Sequence, residues 1–231
     1  MKPLGHKSYG TIPHLSGSRL GPSDRTAEVG QELIATKQAR DWRDLVIVQE
    51  KLDGSNCAVA KLKGTIYALT RAGYEAHTSP YEQHHRFAEY VQQHERRFDA
   101  ALGEGERLAG EWLALAHGTR YELPHEPFVV FDIMRDGHRR ATYLEVFERC
   151  IRAELPMPRL IHLGQPMSIK NVLKYLEPSG HGALDAVEGA VWRVERDGRV
   201  DFLVKYVRSD KVDGKFLPEV SGEEAVWNTW K

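Results

Sequence analysis

A short apolar run, Val-Ile-Val at residues 46–48, ends abruptly in the polar sequence QEKLDGSN at residues 49–56. An apolar, β-branched run of this kind predicts a buried strand, and its polar end places Lys51 at the mouth of that strand. A partly desolvated lysine loses proton affinity and becomes a nucleophile. Gly54 lets the backbone approach a ligand closely, while Asp53 and Asn56 supply groups that orient a phosphate, a ribose or a metal-bound water. The competing interpretation is a surface turn with a solvated lysine, because Asp-Gly is a common turn pair.

The first predicted hairpin joins residues 57–62 to residues 65–70 through the pair Lys63-Gly64. A two-residue loop at that point sets Asn56 opposite Arg71, and directly opposed residues share one face of a sheet. The end of the lysine sequence and Arg71 are therefore expected side by side. An arginine in that place binds phosphate through two parallel hydrogen bonds.

The second predicted hairpin joins residues 188–194 to residues 200–207 through Asp197-Gly198, a strong short-range hairpin signal. A two-residue loop sets Lys205 opposite Ala190, with Glu188 two residues further along on the same face. An acid and a base at that separation suit a metal-bound phosphate, with Glu188 holding the waters of the metal and Lys205 the phosphate oxygen. An ordinary cross-strand salt bridge is the alternative.

The rest of the pattern predicts helices at residues 31–42, 79–98, 142–155 and 168–176, and strands at residues 106–115 and 128–134. Residues 7–25 are rich in turn formers and are expected as an ordered loop. This loop is either a strap that packs Ile12 and Leu15 against the core or an anion site. The expected fold class is α+β, with antiparallel sheets flanked by helices. One domain is expected, with an N-terminal strap and short helix (1–40), a catalytic core (41–208) and a basic tail (209–231).

Composition narrows the functional classes. The chain of 231 residues carries a formal net charge of −1, so no global basic field attracts nucleic acid, and only a local basic groove is compatible with such a partner. Cys57 and Cys150 form neither a disulfide framework nor a zinc spacing, which favours two buried thiols in a reducing compartment. No segment has the apolar core of a signal peptide or the length of a membrane span, so the expected location is the cytoplasm, without a membrane.

The sequence KLDGSN at residues 51–56 resembles the signature Lys-x-Asp-Gly-x-Asn of the covalent nucleotidyltransferases, which are ligases and capping enzymes that form a lysyl-nucleotide intermediate. Further stretches resemble the other motifs of these enzymes and follow in the same order. They are TRAG at 70–73, LAGEW at 108–112, FVVFD at 128–132, EGAV at 188–191 and LVKY at 203–206. The chain is most similar to the RNA ligase 2-type adenylyltransferase domain, from about residue 10 to about residue 218.

This resemblance implies a nucleotidyltransferase (ATP-grasp-like) fold that uses ATP and Mg²⁺ or Mn²⁺. Lys51 is then the nucleophile, Asp53 helps to activate a 3′-hydroxyl, and Lys205 neutralises phosphate charge. The implied nucleotide-binding residues are Glu50 at the adenine edge, Lys51, Asn56, Arg71, Glu111, Phe131 stacked on adenine, Glu188, Val191 and Lys205. The implied metal ligands are Glu188 and Glu111, the latter through a metal-bound water or in contact with ribose.

The chain also departs from the family pattern. Only some two dozen residues follow Lys205, too few for an OB-fold, and Leu203 stands where the family has the first of two lysines. The expected function is an ATP-dependent RNA ligase that seals 5′-phosphate ends to 3′-hydroxyl ends in RNA repair. The alternatives are a DNA-end or nick-joining ligase without an OB domain, and an end-binding homologue that needs an accessory end-healing or RNA-binding protein. The tail cations Lys205, Arg208, Lys211 and Lys215 are expected to contact the phosphate backbone.

Overall fold

The computed structural model describes residues Met1–Lys231 and has the α+β architecture predicted from the sequence. The strands are β1 Asp44–Lys51, β2 Ser55–Leu62, β3 Thr65–Thr70, β4 Arg107–Trp112, β5 Glu122–Leu123, β6 Phe128–Arg135, β7 Arg139–Arg140, β8 Leu160–Gly164, β9 Gly189–Arg196, β10 Arg199–Val207 and β11 Thr229–Trp230. The helices are α1 Val29–Thr36, α2 Glu82–Gln93, α3 Glu95–Ala101, α4 Tyr143–Arg152, α5 Ile169–Lys174 and α6 Pro218–Ser221. None of these helices is long and apolar enough to cross a membrane.

The chain divides into two compact units. The four-stranded unit consists of Thr11–Asp53, Ala116–His125 and Pro158–Lys231, and the five-stranded unit consists of Met1–Gly10, Gly54–Leu115 and Glu126–Met157. The division falls between Asp53 and Gly54. The lysine sequence therefore gives Lys51 and Asp53 to the four-stranded unit and Asn56 to the five-stranded unit.

The four-stranded unit is built on an antiparallel sheet with the strand order β10-β9-β1-β8. One face of this sheet packs into a buried apolar cluster that includes Val46, Val48, Trp192 and Val204. Because side chains alternate between the faces of a strand, Gln49 and Lys51 lie on the opposite face of β1. The apolar run before Lys51 thus fixes β1 in the middle of the sheet and aims the lysine away from the core.

The five-stranded unit has the order β3-β2-β4-β6-β7, and its first hairpin has the predicted register. Lys63 and Gly64 form the two-residue loop with φ of 51° and 72°, as a turn that follows the strand twist requires. Strands β2 and β3 pair from Leu62–Thr65 to Cys57–Thr70, so pairing stops one residue before Asn56. On its other side β2 pairs with β4, where Asn56 lies opposite Glu111.

The predicted register of the second hairpin is wrong by one residue. Val200 pairs with Glu195, but the next pair is Phe202 with Val194, so Asp201 is an extra residue in a β-bulge. The carboxylate of Asp201 accepts a 2.6 Å hydrogen bond from Arg40, which gives the bulged residue a partner outside the hairpin. As a result Lys205 lies opposite Val191 and not opposite Ala190.

The predicted helices at Thr142 and Ser168 are confirmed, since each side chain caps its helix by accepting a backbone N–H, from Glu145 and Asn171 respectively. Two of the predicted helices have different bounds in the structure. Helix α1 ends at Thr36, because the Asp44 carboxylate binds the backbone and the guanidinium of Arg40 and holds a turn there. Helix α2 starts at Glu82, and its backbone ends at Gln93, before the separate helix α3.

Thr142→Ala should lower the free energy of unfolding by about 1 kcal/mol, because the Glu145 N–H loses its capping acceptor. Urea unfolding followed by circular dichroism measures the change. Thr78→Ala is the matched control, since this exposed hydroxyl donates to the Glu75 carbonyl and caps no backbone N–H. Equal effects of the two substitutions would contradict the capping role of Thr142.

Candidate active site

The side chain of Lys51 forms a close ion pair at the end of β1. Its Nζ lies 2.5 Å from Glu188 Oε2 and 3.2 Å from the Leu52 carbonyl oxygen. The side chains are 21% and 8% exposed, so water screens the pair weakly. Burial raises the pKa of Glu188, while the neighbouring Lys51 opposes that change. Glu188 is therefore a proton acceptor within hydrogen-bond distance of the candidate nucleophile.

Glu188 reaches Lys51 because of the way β9 begins. Gly189 pairs with Lys51 on one side and with Val207 on the other. A Cβ at Gly189 would lie 1.9 Å from the Tyr206 carbonyl oxygen, so only glycine fits between the two strands. Arg208 N–H donates to the Glu188 carbonyl at 3.0 Å and holds the preceding residue at the sheet end. Because Glu188 precedes the first residue of β9, its side chain does not follow the alternation of faces within the strand. Its carboxylate contacts Lys51.

The predicted diagonal pair of Glu188 with Lys205 is therefore wrong. The bulge at Asp201 shifts β10 by one residue, so that Lys205 pairs with Val191. Glu188 is three residues from Val191, and residues an odd number apart in a strand point to opposite faces. Lys205 Nζ instead lies 3.9 Å from Asp24 Oδ1. Val191, a predicted nucleotide-binding residue, is half-buried between Gln49 and Lys205 and lies on the same sheet face as Lys51.

The N-terminal strap binds both the backbone N–H and the carbonyl of Lys205. Lys205 N–H donates to the Pro13 carbonyl at 2.9 Å, and Leu15 N–H donates to the Lys205 carbonyl at 2.8 Å. Leu15 is part of the buried core cluster, as the strap interpretation predicted. Sequence reasoning left out His14, which these two backbone bonds place beside the candidate site. The Pro-His-Leu sequence carried no signal for it.

His14 is 2% exposed, with Nδ1 2.7 Å from Ser18 Oγ and Nε2 3.2 Å from Asp24 Oδ2. Burial, together with the positive charges of Lys205 and Lys51, lowers the pKa of His14, although Asp24 opposes the shift. The imidazole is therefore neutral near pH 7. A neutral histidine adds no third positive charge beside Lys51 and Lys205.

Asp53 is held by the loop at residues 116–121. Gly118 N–H donates to Asp53 Oδ2 at 2.8 Å, and Asp53 N–H donates to the Tyr121 hydroxyl at 3.2 Å. The ammonium group of Lys211 lies 2.7 Å from the same Oδ2. The sequence analysis expected Lys211 to contact a phosphate backbone. In this structure its side chain is instead buried against Asp53.

The other tail cations also have carboxylate partners. Arg208 lies 2.9 Å from Asp210, and Lys215 lies 3.3 Å from Asp185. These pairs are more exposed than the Lys211 pair, and exposed pairs are worth little energy and break easily. A phosphate could compete for Arg208 and Lys215 at small cost.

Glu50 lies on the face of β1 opposite to Lys51, and the structure uses its carboxylate fully. It accepts from Ser179 Oγ at 2.5 Å, from Gly180 N–H at 2.9 Å and from Arg159 Nε at 3.2 Å. These bonds fasten β1 to residues 159 and 179–180. The contact of Glu50 with the adenine edge stays a prediction, and it would require one of these donors to be exchanged.

In the five-stranded unit, Glu111 and Asn56 form a cross-strand pair next to Gly54. Glu111 Oε1 accepts the Gly54 N–H at 3.1 Å, and a Cβ at Gly54 would lie 2.5 Å from the Trp112 carbonyl oxygen. Asn56 Oδ1 is buried and has no hydrogen-bond partner. Buried carbonyl oxygens without a donor are costly, and such atoms are often completed by a ligand.

Phe131 and Arg71 are the remaining predicted nucleotide-binding residues of this unit. The pairing of β4 with β6 passes from Asp132 to Val130, so Phe131 is the extra residue of a β-bulge and is half-exposed in an otherwise buried strand segment. The centroids of the Phe131 and Tyr9 rings lie 5.1 Å apart, in an edge-to-face arrangement. Arg71 is exposed and donates to the Gly10 carbonyl at 3.2 Å. A bulge re-aims a side chain, which is how an aromatic ring leaves a core strand.

The residues fit a divalent metal that arrives with a nucleotide. No group of three or more His, Cys, Asp or Glu side chains is arranged to hold a metal ion. Mg²⁺ is usually bound by one or two carboxylates together with substrate phosphates and waters, and not by a cage made only of protein groups. The two predicted metal ligands, Glu188 and Glu111, each supply one carboxylate.

The RNA ligase family model matches residues 44–207, from the start of β1 to the end of β10 and well over half of the chain. This range contains Lys51, Glu111, Glu188 and Lys205, and the match shows that the chain belongs to the RNA ligase family. No curated protein matches the chain.

Solved structures with a similar fold include RNA ligases. An archaeal ATP-dependent RNA ligase, form 1, has a TM-score of 0.50 at 19% identity over 87% of this chain and 48% of its own. A Naegleria gruberi RNA ligase variant in the apo form has a TM-score of 0.53 at 15% identity, over 92% of this chain and 62% of its own. A variant of that ligase with ATP and Mn has a TM-score of 0.52 at 16% identity, over 87% and 61%. These identities support the fold alone, and the chain spans roughly half to three fifths of the length of these proteins.

The buried His181 next to the Glu50 network should make stability depend on pH. Burial first, and the nearby His125 and Arg159 next, lower its pKa from 6.5 to about 3. The unfolded chain therefore binds a proton below pH 6.5 that the folded protein refuses, and stability should fall by about 1.4 kcal/mol per pH unit as the pH drops from 6.5 toward 3.

His181→Gln should flatten this slope, because glutamine does not titrate. Urea unfolding at a series of pH values measures the slope. His85→Gln, at an exposed position of α2, is the control and should leave the slope unchanged. A His181→Gln protein with the slope of the wild type would show that His181 does not titrate as stated.

Proposed function

We propose that this chain is an ATP-dependent RNA ligase that forms a covalent lysyl-AMP intermediate on Lys51 and seals 5′-phosphate RNA ends to 3′-hydroxyl ends. The observation that carries the proposal is the 2.5 Å pair of Lys51 with a buried carboxylate at the end of a core strand. Membership of the RNA ligase family supports the choice of reaction. The similar Naegleria gruberi structures with ATP, AMP and Mn support ATP and a divalent metal as its cofactors.

In the first step Lys51 Nζ attacks the α-phosphorus of ATP. A new N–P bond forms, the bond to pyrophosphate breaks, and the proton of Lys51 passes to Glu188, whose burial raises its affinity for a proton. Lys205, fixed by the strap, supplies positive charge for the phosphate as its negative charge develops. A bound Mg²⁺ or Mn²⁺ would add charge of the same sign, with phosphate and water as its main ligands, since Glu188 serves here as the proton acceptor.

The nucleotide-binding residues of the five-stranded unit are assigned by what each offers. The half-exposed ring of Phe131 offers a face for adenine, and the unpartnered Asn56 Oδ1 offers an acceptor. Arg71 offers an exposed guanidinium for phosphate, and Glu111 offers a carboxylate for ribose. Glu50 and Val191 of the four-stranded unit complete the proposed set.

The adenylate then passes to the 5′-phosphate of one RNA strand. The 3′-hydroxyl oxygen of the other strand attacks the phosphorus, a new phosphodiester forms and AMP leaves. Asp53, next to Lys51 in the sequence, is the proposed acceptor for the hydroxyl proton.

A second candidate function is nucleotide transfer to Lys51 with strand joining that needs an accessory end-healing or RNA-binding protein. One observation favours it: the cations that follow β10 are paired with carboxylates. Joining of RNA by the isolated chain rules this candidate out. The same assay with DNA strands tests the DNA-ligase alternative.

Lys51→Ala should abolish the transfer of label from ATP labelled at the α-phosphate to the protein, because no other residue is the proposed nucleophile. Denaturing electrophoresis measures the label, which should be acid-labile and alkali-stable. Lys215→Ala, at a partly exposed position outside the proposed site, is the control and should label like the wild type. GTP should label the wild type less than ATP does. Label that persists in Lys51→Ala would refute the assignment.

Glu188→Gln and Lys205→Ala should each slow adenylylation by about a hundredfold or more, since one loses the proton acceptor and the other loses charge on the phosphate. Single-turnover labelling gives the rate, and thermal unfolding of the same samples gives stability. If the ion pairs Lys51–Glu188 and Lys205–Asp24 had only a structural role, the folded variants would label at the wild-type rate and would only be less stable. That outcome would place the active site elsewhere.

A further inference from the structure

Lys211 is the most deeply buried of the cations that follow β10. Its side chain is 6% exposed, and its ammonium group lies 2.7 Å from Asp53 Oδ2, whose own side chain is 13% exposed. Thr119 Oγ1 accepts a hydrogen bond from the same ammonium group. Lysine is rarely buried to this degree unless its charge has a fixed partner.

The geometry around this pair is tightly specified. Gly118 N–H donates to the oxygen that Lys211 approaches, at 2.8 Å, and the Tyr121 hydroxyl accepts the Asp53 N–H at 3.2 Å. A Cβ at Gly118 would lie 2.4 Å from the Val212 carbonyl oxygen and 2.9 Å from Asp53 Oδ2. The Gly118 N–H and the Lys211 ammonium group both contact Oδ2 of Asp53. Oδ1 is therefore the carboxylate oxygen that can accept from a substrate group.

The backbone brings Lys211 to the side of Lys51 that is away from Lys205. Strand β10 runs parallel to β1 with β9 between them, so Lys205 stands level with Gln49 and Val207 stands level with Lys51. The chain then continues past Lys51, and the Lys211 N–H donates to the Arg208 carbonyl in a turn at 3.2 Å. The two lysines therefore lie on either side of Lys51 along the chain direction of β1. Lys205 is level with Gln49, before Lys51, and Lys211 contacts Asp53, after it.

We propose that Lys211 is a positioning residue that holds the Asp53 carboxylate for the strand-joining step, with Oδ2 fixed and Oδ1 directed to the attacking 3′-hydroxyl. This proposal rests on the proposed function. In that step the hydroxyl oxygen forms a bond to the phosphorus of the adenylylated 5′ end, the bond from phosphorus to the AMP oxygen breaks, and the hydroxyl proton passes to Asp53. Lys211 itself forms no bond to the substrate.

Since Lys205 acts in the adenylylation of Lys51 and Lys211 acts in strand joining, two separate assays test the proposal. The first is labelling of Lys51 from α-labelled ATP, and the second is joining, without ATP, of an RNA whose 5′ end is already adenylylated. Lys211→Met should keep the labelling rate within about threefold of wild type but slow the second reaction by about a hundredfold. Lys211→Arg should recover part of the lost joining rate, since it restores a cation at Asp53.

A double variant separates positioning from a general loss of structure. Asp53→Asn removes the group through which Lys211 acts, so Asp53→Asn/Lys211→Met should join no more slowly than Asp53→Asn alone. Lys61→Met, which breaks a Lys–Asp pair of the same 2.7 Å length with Asp99, is the matched control and should join like the wild type. The double variant also removes both charges of the buried pair, and so keeps the comparison valid if the single variant folds poorly.

Three results would overturn the proposal. They are wild-type joining by folded Lys211→Met, equal losses of labelling and joining in that variant, and additive losses in the double variant. Failure of the proposed function looks different, because the wild type itself would then neither label from ATP nor join the pre-adenylylated RNA.

Discussion

The candidate site depends on the register at which β9 pairs with its two neighbours at Gly189. This residue stands opposite both Lys51 and Val207, and the Tyr206 carbonyl oxygen leaves no room for a side chain there. A shift by one residue would move every side chain of the strand to the other face of the sheet. With the observed register, the carboxylate of Glu188 meets Lys51, Lys205 lies on the same face as Lys51, and Glu50 turns to the opposite face and fastens β1 to Ser179 and Arg159.

Charge in this unit is organised as a series of fixed pairs. Lys51 pairs with Glu188, Lys205 lies near Asp24, and Lys211 pairs with Asp53. Buried ion pairs add little net stability, because desolvation offsets their attraction, but they hold charges in defined positions. The formal net charge of −1 conceals this arrangement, since the positive groups near Lys51 are each matched by a nearby carboxylate. A polyanion would then be bound by exchange of partners and not by a surplus of positive charge.

Local signals in the sequence were enough for much of the fold. The pair Lys63-Gly64 fixes the first hairpin because its register follows from two residues that adopt positive φ, and Thr142 and Ser168 cap their helices within three residues. The second hairpin has an equally clear turn, yet its register differs, because the partner of the bulged Asp201 is Arg40, 161 residues away. For the same reason His14 was not predicted at all, and Lys211 was predicted to contact a phosphate backbone and not Asp53. Their positions are set by chain segments far from the lysine sequence, and no periodicity carries that information.

The pair of Lys51 with Glu188 carries a chemical consequence that a surface salt bridge would not. In water an ammonium keeps its proton next to a carboxylate, because solvent stabilises both charges. Here burial raises the pKa of Glu188, so the cost of moving the proton from lysine to carboxylate is smaller than in water. A phosphate that brings negative charge to the pair raises that cost again, and Lys205 on the same face offsets the added charge. The strap that fixes Lys205 through Pro13 and Leu15 is therefore part of the electrostatic environment of Lys51, although the hydrogen bonds of Pro13 and Leu15 are not made to Lys51.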